Sequence, residues 1–516
     1  MSEQRNRIRS IAIVGGGTAG WMAAVALGYT HREGPCTVRL IESDEIGTVG
    51  VGEATLPILR LFNRFFGIDE DEFMRATQAS FKAGIQFEDW ARMGYGFFHP
   101  FGGYGAPIER LRFYQCWLKQ HKAGSPYSLN AYSENAVAAK LGRFARARWP
   151  NGEVADNQYA FHFDAALYAA YLRRRAISFG VQRTEGRVDQ VKLRESDGFI
   201  ESIKLVSGEV VEADLFIDCS GFRGLLIEGA LHTGYEDWSR WLPCNRAWAV
   251  LCEGVDAITP YTRSTARKAG WQWRIPLQHR IGNGYVYCNE RISDDEAAAT
   301  LLANLDGRAL DEPRQLRFTA GRRKLYWNRN CIALGLASGF LEPLESSSIG
   351  LMQNAIFRLL ELMTDRGFEQ ATVDEYNRQT ILETERTRDF IVLHYLGNGR
   401  HGEPMWDDCR HMEAPAHLQE RIDLFRVRGH LNLENEPYGE TSWLVMLTEL
   451  GFVPRDYNPL IDALPAATLE KSMADIRDQV VRYVQGLPAH RAYLEANCRA
   501  DSPVAVATPT PMAVRA

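Results

Sequence analysis

The sequence predicts an α/β fold that opens with a nucleotide-binding β-α-β unit and closes with a mainly helical region. A buried apolar strand spans residues 10–14, and a glycine-rich turn separates it from an alanine-rich helix over residues 21–27. A second apolar strand spans residues 37–41 and ends at Glu42. Beyond about Thr372 the chain is charged and its pattern is mostly that of helices. These features place a nucleotide site near the start of the chain.

The composition is that of a globular protein without a polyanionic partner. The chain has 516 residues, 45% of them hydrophobic, and a formal net charge of -6, so we expect no nucleic-acid binding. Nine scattered cysteines form no C-x-x-C pair, which predicts reduced thiols, no zinc or other metal site, and a cytoplasmic location. The apolar runs are too short for a membrane helix, and consecutive glycines interrupt the N-terminal apolar stretch, so neither a membrane span nor a signal peptide is predicted.

The turn after the first strand matches the dinucleotide-binding pattern G-x-G-x-x-G. Gly15 permits the tight turn, Gly17 lets the backbone approach a pyrophosphate, and Gly20 allows the helix to pack closely on the strand. Glu42 would accept hydrogen bonds from the adenosine ribose, while the phosphates lie at the helix N-terminus. The motif alone leaves FAD and NAD(P) open, although NADP would favour a basic residue in place of Glu42. The predicted contacts of the turn are Gly15, Gly16, Gly17, Thr18, Ala19 and Gly20.

Two later segments favour FAD. Residues 213–221 form an apolar strand that ends in a tight turn, and residues 335–344 lead from a further strand, 331–334, into a helix. Such turns offer backbone N–H groups to a flavin or its phosphates, although each could merely be a strand end. Together, and in this order, they are typical of the glutathione-reductase type of FAD-binding fold.

We therefore predict an FAD-binding module over residues 1–370 with interleaved substrate-pocket segments. A mainly helical region over residues 371–501 would cover the substrate, and the alanine-, proline- and threonine-rich residues 502–516 would be a disordered tail. Within the module, amphipathic helices are predicted across residues 57–90, and the stretch 94–107, rich in glycine and aromatics, is predicted as a pocket-lining loop.

Ordered motifs along residues 8–370 make the chain resemble the flavin-dependent tryptophan halogenases. The most specific is W-Q-W-R-I-P at residues 271–276, a full match to the family pattern W-x-W-x-I-P. The others are G-G-G-T-A-G-W-M-A-A at 15–24, G-V-G-E-A-T at 50–55, F-K-A-G-I at 81–85 and P-L-E-S at 343–346. The resemblance implies that FAD also contacts Glu53, Ala54, Val188, Leu336 and Ile349.

The resemblance also assigns the chemistry to Lys82 and Glu345. A lysine on an amphipathic helix is ordinarily solvated, yet the neighbours of Lys82 are apolar, and a desolvated lysine becomes a better nucleophile or hydrogen-bond donor. In the family this lysine handles hypohalous acid, either by hydrogen bonding or as a haloamine. The carboxylate of Glu345 would orient the oxidant or accept the ring proton. The plain alternative for Glu345 is a glutamate that the macrodipole favours at a helix start.

The resemblance implies a halide site at the backbone N–H groups of Ser347 and Ser348. Without the family, Ser346, Ser347 and Ser348 would simply cap the helix that follows. Many tryptophan halogenases have glycine where this chain has Ser348, so bromide and chloride both stay open. The other implied participants are FAD as FADH2, O2 and a separate flavin reductase, and a homodimer is a further expectation.

The substrate residues implied by the resemblance are His99, Phe101, Trp271 and Trp273. The two tryptophans would wall the space between flavin and substrate, although by themselves they describe one buried face of a strand. Tryptophan-specific members clamp the amino acid with a Tyr-Tyr pair, a glutamate and a Phe-Trp pair, a pattern that residues 432–447 lack. We therefore expect halogenation of an electron-rich aromatic such as indole, another heteroaromatic, or a phenolic or peptide-borne ring, rather than free tryptophan.

Two other functions stay open from the sequence. An FAD-dependent aromatic monooxygenase, which hydroxylates its substrate, shares the fold but gives no role to Lys82 or to the tryptophan pair. A non-catalytic FAD-binding module would bind flavin without any oxygen-dependent turnover.

Overall fold

The computed structural model describes residues 6–45, 52–146 and 158–500. Gly50 and Val51, the first two residues of the motif at 50–55, and the predicted tail 502–516 lie outside the described residues.

The described residues form strands and helices that we number in chain order. Strands β1 to β22 are Ser10–Val14, Thr37–Glu42, Gly52–Ala54, Ser80–Lys82, Gly84–Glu88, Gly96–Pro100, Ala160–Asp164, Gln182–Glu185, Val188–Leu193, Ile200–Leu205, Val210–Glu212, Leu215–Asp218, Tyr235–Asp237, Arg246–Glu253, Thr262–Arg267, Gly270–Pro276, Arg280–Tyr287, Arg314–Arg317, Gly321–Arg323, Trp327–Asn328, Cys331–Ala333 and Gly339–Phe340. Helices α1 to α14 are Thr18–His31, Leu59–Phe65, Glu70–Ala76, Phe113–Lys122, Glu134–Lys140, Ala165–Ser178, Asp294–Ala303, Ser347–Glu361, Gln370–Leu396, Pro404–His411, Ala416–Arg428, Glu440–Glu449, Ala466–Gln485 and His490–Asn497. Single 3-10 turns are Leu129–Tyr132, Gly221–Arg223, Gly335–Ala337, Pro343–Glu345 and Pro459–Ala463.

The nucleotide-binding unit forms a mainly parallel sheet with the strand order β20-β21-β12-β1-β2-β8. β1 lies between β2 and β12 and runs parallel to both, with Ile11 and Ile13 fully buried. α1 follows β1 and buries most of its length against the sheet and α6, because its sequence is almost entirely apolar. The strands predicted at 10–14, 37–41 and within 213–221 and 331–334 are confirmed, and the predicted helix 21–27 lies inside the longer α1.

A second sheet, largely antiparallel, has the order β18-β14-β17-β16-β15-β5-β6. β16 carries the W-x-W-x-I-P motif and ends at Pro276, and all seven of its residues are buried. The tryptophans therefore belong to a strand that is covered on both faces, and the sequence had indicated burial of only one.

Two predictions between residues 57 and 107 are wrong. Helices occupy only α2 and α3, after which the chain forms β4 and β5, so Lys82 lies on a strand and not on a helix. The stretch 94–107 contains β6, which pairs with β5. β4 has three residues and exists through its pairing with β7, and this long-range pairing overrides the local helical pattern.

The C-terminal part is helical, from α9 to α14. One hydrophobic core nevertheless joins it to the rest of the chain, with Phe87 and Trp90 packed in the same cluster as Phe390 and Trp406. The limits 1–370 and 371–501 stay predictions. Across the described residues, none of the helices combines the length and apolar character that a membrane span requires.

Candidate active site

Lys82 lies at the end of β4 with its side chain completely buried. Because side chains alternate along a strand, Phe81 points the other way and stacks on Phe144 with ring centroids 4.3 Å apart. The Nζ atom of Lys82 donates to the carbonyl oxygen of Thr55 at 3.1 Å and to Oγ of Ser346 at 2.8 Å. The ring of Phe101 is 5.1 Å away. Lys82 is therefore not the solvated lysine expected for an exposed position on a helix.

Burial changes the chemistry of the Lys82 amine. Desolvation lowers the pKa of Lys82 from 10.5 to about 7, while the negative charge of Glu345 acts in the opposite direction. Ammonium and neutral amine therefore coexist near neutral pH. The interaction with Glu345 also shows that the two residues predicted to carry the chemistry share one interior site.

Glu345 ends the 3-10 turn that precedes α8, and its side chain is fully buried. Its Oε1 atom lies 3.1 Å from Nδ1 of His99 and 2.7 Å from Nε2 of His394. Burial is the largest single influence and raises the pKa of this carboxyl, but the two imidazoles together outweigh it and bring the pKa to about 2. Glu345 does stand just before a helix, as the macrodipole alternative expected, and its carboxylate is also buried between two histidines.

The two histidines come from distant elements. His99 lies on β6, and its Nε2 atom is 2.9 Å from Oγ of Ser442 in the first turn of α12. His394 lies near the end of α9, and its Nδ1 atom donates to the carbonyl oxygen of Phe390 at 2.8 Å. The sequence singled out His99 as a substrate residue and missed His394, whose segment was predicted only as helix.

The segment Ser346, Ser347 and Ser348 leads from Glu345 into α8. Ser346 is in the left-handed region with φ 58°, and its hydroxyl accepts from Lys82 instead of capping the helix. Capping by Ser346 was therefore the wrong alternative, and its bond to Lys82 was not predicted. Ser347 is buried with its hydroxyl beside that of Tyr438, and Ser348 is half-buried. Since no side chain caps α8, its first N–H groups are available to an anion.

The fingerprint turn has the shape that the sequence predicted. Gly15 has φ 113°, and a Cβ atom there would lie 2.2 Å from the carbonyl oxygen of Cys219. A Cβ atom on Gly20 would lie 1.8 Å from the carbonyl oxygen of Gly15. At Gly17, the N-cap of α1, a Cβ atom would meet nothing within 4 Å. Gly15 and Gly20 therefore leave no room for a side chain, whereas Gly17 leaves space for a pyrophosphate to approach the backbone. The residues present thus fit FAD.

Glu42 stands at the end of β2 above the turn. Its Oε1 atom accepts from Nε of Arg183 at 2.6 Å, and its Oε2 atom accepts from the indole nitrogen of Trp21 at 3.2 Å. Oε2 also lies 1.5 Å from the position of a Cβ atom on Gly16, so only glycine fits beside it. Arg183 was not predicted from the sequence, because it lies on β8, far along the chain.

The other predicted cofactor residues lie on five different elements of the fold. Gly335 brings the Leu336 segment against α1, since a Cβ atom on Gly335 would be 2.7 Å from that of Ala19. Thr18 and Ala19 form the first turn of α1, Glu53 and Ala54 lie on β3, Val188 starts β9, and Ile349 is buried in the first turn of α8. Burial raises the pKa of Glu53 to about 7.

Trp271 connects the second sheet to Glu342, the residue before the turn that carries Glu345. The indole nitrogen of Trp271 donates to Oε2 of Glu342 at 2.8 Å, and the hydroxyl of Tyr395 donates to the same oxygen at 2.5 Å. The two tryptophan rings are 6.0 Å apart. Burial raises the pKa of Glu342 to about 7. This network holds the segment three residues before Glu345 against β16 and α9.

Comparisons with known proteins agree with this geometry. The sequence profile of the tryptophan halogenase family matches residues 10–466. The chain is 33% identical to tryptophan 7-halogenase RebH of Lentzea aerocolonigenes, over 95% of this chain and 98% of that protein.

Two solved structures are more similar in sequence. Xcc4156, a flavin-dependent halogenase from Xanthomonas campestris, is 45% identical with a TM-score of 0.93, covering 96% of this chain and 100% of that one. BrvH, a flavin-dependent halogenase from Brevundimonas sp. BAL3, is 46% identical with a TM-score of 0.91, covering 95% and 99%.

These matches confirm the predicted family and FAD-binding fold and do not favour the hydroxylase alternative. Such enzymes receive FADH2 from a separate flavin reductase and consume O2 and chloride or bromide. The chain belongs to the tryptophan halogenase family and is a flavin-dependent oxidoreductase that halogenates an aromatic substrate.

Proposed function

We propose that the chain brominates or chlorinates an indole-like ring and not free tryptophan, with Lys82 and Glu345 directing hypohalous acid to the ring. The observation that carries this proposal is the burial of both side chains in one site, where they interact electrostatically. A lysine and a carboxylate that share a site away from water can control a reactive oxidant, because solvent does not weaken their electrostatic interactions with it.

The cofactor would be held by the fingerprint turn Gly15 to Gly20, by Glu42, and by the segments around Glu53, Val188 and Leu336. When bound as FADH2, the flavin with O2 supplies the oxidising power that converts halide into hypohalous acid. The remaining work belongs to the protein, which binds the halide, aims the oxidant and receives the proton.

The halide would bind at the N-terminus of α8, on the N–H groups of Ser347 and Ser348. This helix has 15 residues and no side-chain cap, so its macrodipole and unpaired N–H groups favour an anion. Ser346, just before them, bonds to Lys82. Ser346 therefore links the proposed halide site to Lys82.

Lys82 would act as a hydrogen-bond donor to hypohalous acid. Two of its N–H groups are committed to Thr55 and Ser346, so the ammonium form has one more to donate. The ring of Phe101 is within reach of a cation–π interaction that supports the charged form. The haloamine route would instead use the lone pair of the neutral amine.

Glu345 would accept the proton that the aromatic carbon loses when halogen is added. Its low pKa keeps it ionised at neutral pH, so it is ready to act as a base. His99 would hold the carboxylate and contribute one edge of the substrate space, with Phe101 and the walls formed by Trp271 and Trp273.

The preference for a ring without an amino-acid backbone rests on residues 432–447. Tyr438 stacks on Phe390 with centroids 4.0 Å apart, and Trp443 packs on the same ring at 4.8 Å. Arg421 covers Trp443 at 4.0 Å. These aromatics are occupied with one another, which supports the absence of an amino-acid clamp. The chain is also 45% and 46% identical to two flavin-dependent halogenases but 33% identical to a tryptophan 7-halogenase.

The test is a halogenation assay with FAD, a flavin reductase, NADH, bromide and either indole or free tryptophan. We expect a brominated indole, recognised by its isotope doublet, and at least tenfold less brominated tryptophan. Lys82→Ala should abolish bromination while FAD binding persists. Efficient bromination of tryptophan would contradict the substrate, and retained activity of Lys82→Ala would remove Lys82 from the mechanism.

Two further expectations about the whole protein stay predictions. The cytoplasmic location is supported by the nine cysteines, all of which are free. A homodimer would be tested by the mass of the purified protein in solution, where a monomer mass would contradict it.

A further inference from the structure

Both histidines beside Glu345 bond to the same carboxylate oxygen. Nε2 of His394 and Nδ1 of His99 each form their hydrogen bond with Oε1. Nδ1 of His99 is also 3.1 Å from Oε2, but among the described residues Oε2 has no hydrogen-bond partner. One oxygen is therefore anchored, and the other is left to react.

The bonds of His394 determine its protonation. Its Nδ1 faces the carbonyl oxygen of Phe390, which only accepts, so Nδ1 carries a hydrogen. Its Nε2 faces a carboxylate oxygen, which when ionised also only accepts. With Glu345 ionised, both ring nitrogens of His394 must donate, and the ring must be an imidazolium.

The groups around the pair set its electrostatic environment. The titratable groups that face Glu345 are His99 from β6, Lys82 from β4 and Tyr438 from the segment before α12. Around His394 the contacts are aromatic, with ring centroids of Phe87 at 5.2 Å, Trp90 at 6.1 Å and Phe390 at 5.3 Å. Glu345 is thus the one counter-ion in contact with His394 among the described residues.

His99 is not constrained in the same way. Its Nε2 atom meets the hydroxyl of Ser442, which can donate or accept, so a neutral ring satisfies both of its bonds. The two histidines that bracket Glu345 are therefore not equivalent.

We propose that His394 is held as a buried imidazolium and is a positioning residue of the halogenation reaction, fixing Glu345 through Oε1 so that Oε2 receives the ring proton. The role in catalysis rests on the proposed function of Glu345. The charge state rests on the hydrogen bonds and on the ionised carboxylate of Glu345, so it can be tested without turnover.

His490 provides a matched control within the same chain. It is also completely buried, and its Nδ1 donates to a carbonyl oxygen, that of Ile258, at 2.8 Å. Its Nε2, however, accepts from the backbone N–H of Phe81 at 3.3 Å. The same counting of donors therefore makes His490 neutral, with hydrogen on Nδ1 alone.

The direct experiment is NMR of the full chain labelled with nitrogen-15 in histidine. We expect the His394 signals of a ring protonated on both nitrogens at pH 8, and the His490 signals of a neutral ring. Glu345→Gln should convert His394 to a neutral ring, because the Gln side chain carries no charge and can donate to Nε2. A neutral His394 in the unaltered protein, or a charged one in Glu345→Gln, would overturn the proposal.

The catalytic part is tested with His394→Gln and Ser442→Ala, measured as bromination rate relative to the unaltered enzyme at each pH. The relative rate of His394→Gln should fall at low pH, by about tenfold per pH unit below the new pKa of Glu345. Ser442→Ala should leave the relative rate flat in pH.

A relative rate for His394→Gln that is independent of pH would reduce His394 to a structural role. Should His394→Gln fail to fold, His394→Asn replaces it, and the NMR result on Glu345→Gln stands by itself. If the unaltered enzyme halogenates no ring while the NMR result holds, the proposed function fails and the imidazolium does not.

Discussion

The Nζ atom of Lys82 lies 2.8 Å from Oγ of Ser346, the residue that connects Glu345 to the segment proposed to bind halide. This bond spans 264 positions of sequence and is buried. Through it, the amine is bonded to the residue that lies between Glu345 and the N-terminus of α8. In the proposed mechanism, the direction of the oxidant is therefore set by contacts between segments that are remote in the chain.

Removal of the Ser346 hydroxyl should loosen the lysine. We expect Ser346→Ala to lower the bromination rate about tenfold, since one of two anchors of Nζ is lost, with FAD binding unchanged. Ser346→Gly is the control, because φ is 58° and glycine tolerates that conformation. Equal losses in both variants assign the effect to the hydroxyl, and recovery in the glycine variant alone would assign it to backbone strain.

The pH dependence of the reaction should reveal which form of Lys82 works. Because the pKa of Lys82 is about 7, the ammonium donor disappears as the pH rises through that value. We expect the bromination rate with saturating FADH2 to fall about tenfold from pH 6 to pH 8. A rate that rises over this range would require the neutral amine and support the haloamine route.

The buried carboxyl of Glu342 should make the fold less stable at high pH. Its pKa is about 7 in the folded protein and 4.5 as an ordinary glutamate, so the folded state holds more protons between these values. Stability from this group is therefore lost as the pH rises from about 4.5 to 7. Glu342→Gln, which mimics the protonated form, should be more stable than the unaltered chain at pH 8, by about 3 kcal/mol at most.

Thermal unfolding at pH 4.5 and pH 8 measures this difference. The control is Glu420→Gln, an exposed glutamate of α11, which should change the unfolding temperature little at either pH. An advantage of Glu342→Gln that is equal at both pH values would contradict a raised pKa.

Alanine substitutions at two glycines of the fingerprint should distinguish an effect on FAD binding from an effect on fold stability. Gly17→Ala meets no protein atom within 4 Å, so we expect normal stability and at least tenfold weaker FAD binding, because the methyl group takes the place of the pyrophosphate. Gly15→Ala would bring a Cβ atom to 2.2 Å from the carbonyl oxygen of Cys219, so it should destabilise the fold itself. Flavin fluorescence titration and thermal unfolding measure the two effects, and tight FAD binding by Gly17→Ala would place the pyrophosphate elsewhere.

The sequence alone was sufficient for the fold type, the cofactor and the two residues that carry the proposed chemistry. A strand, a glycine turn and a helix that follow one another directly are constrained locally, so the unit around Gly15 to Glu42 could be predicted from spacing. Lys82 and Glu345 were identified because they lie in ordered motifs that the family shares. The structure places both inside the protein, although their catalytic roles stay predictions.

Only the tertiary structure decided what surrounds those residues. The helix predicted around Lys82 is a strand because β4 pairs with β7, whose residues lie about 80 positions away. His394 meets Glu345, Arg183 meets Glu42, and Ser346 meets Lys82 through bonds that no local pattern encodes. Local sequence determines backbone geometry over a few residues. Burial and hydrogen-bond partners, which shift the pKa values of Lys82 and Glu345, arise only when distant segments pack together.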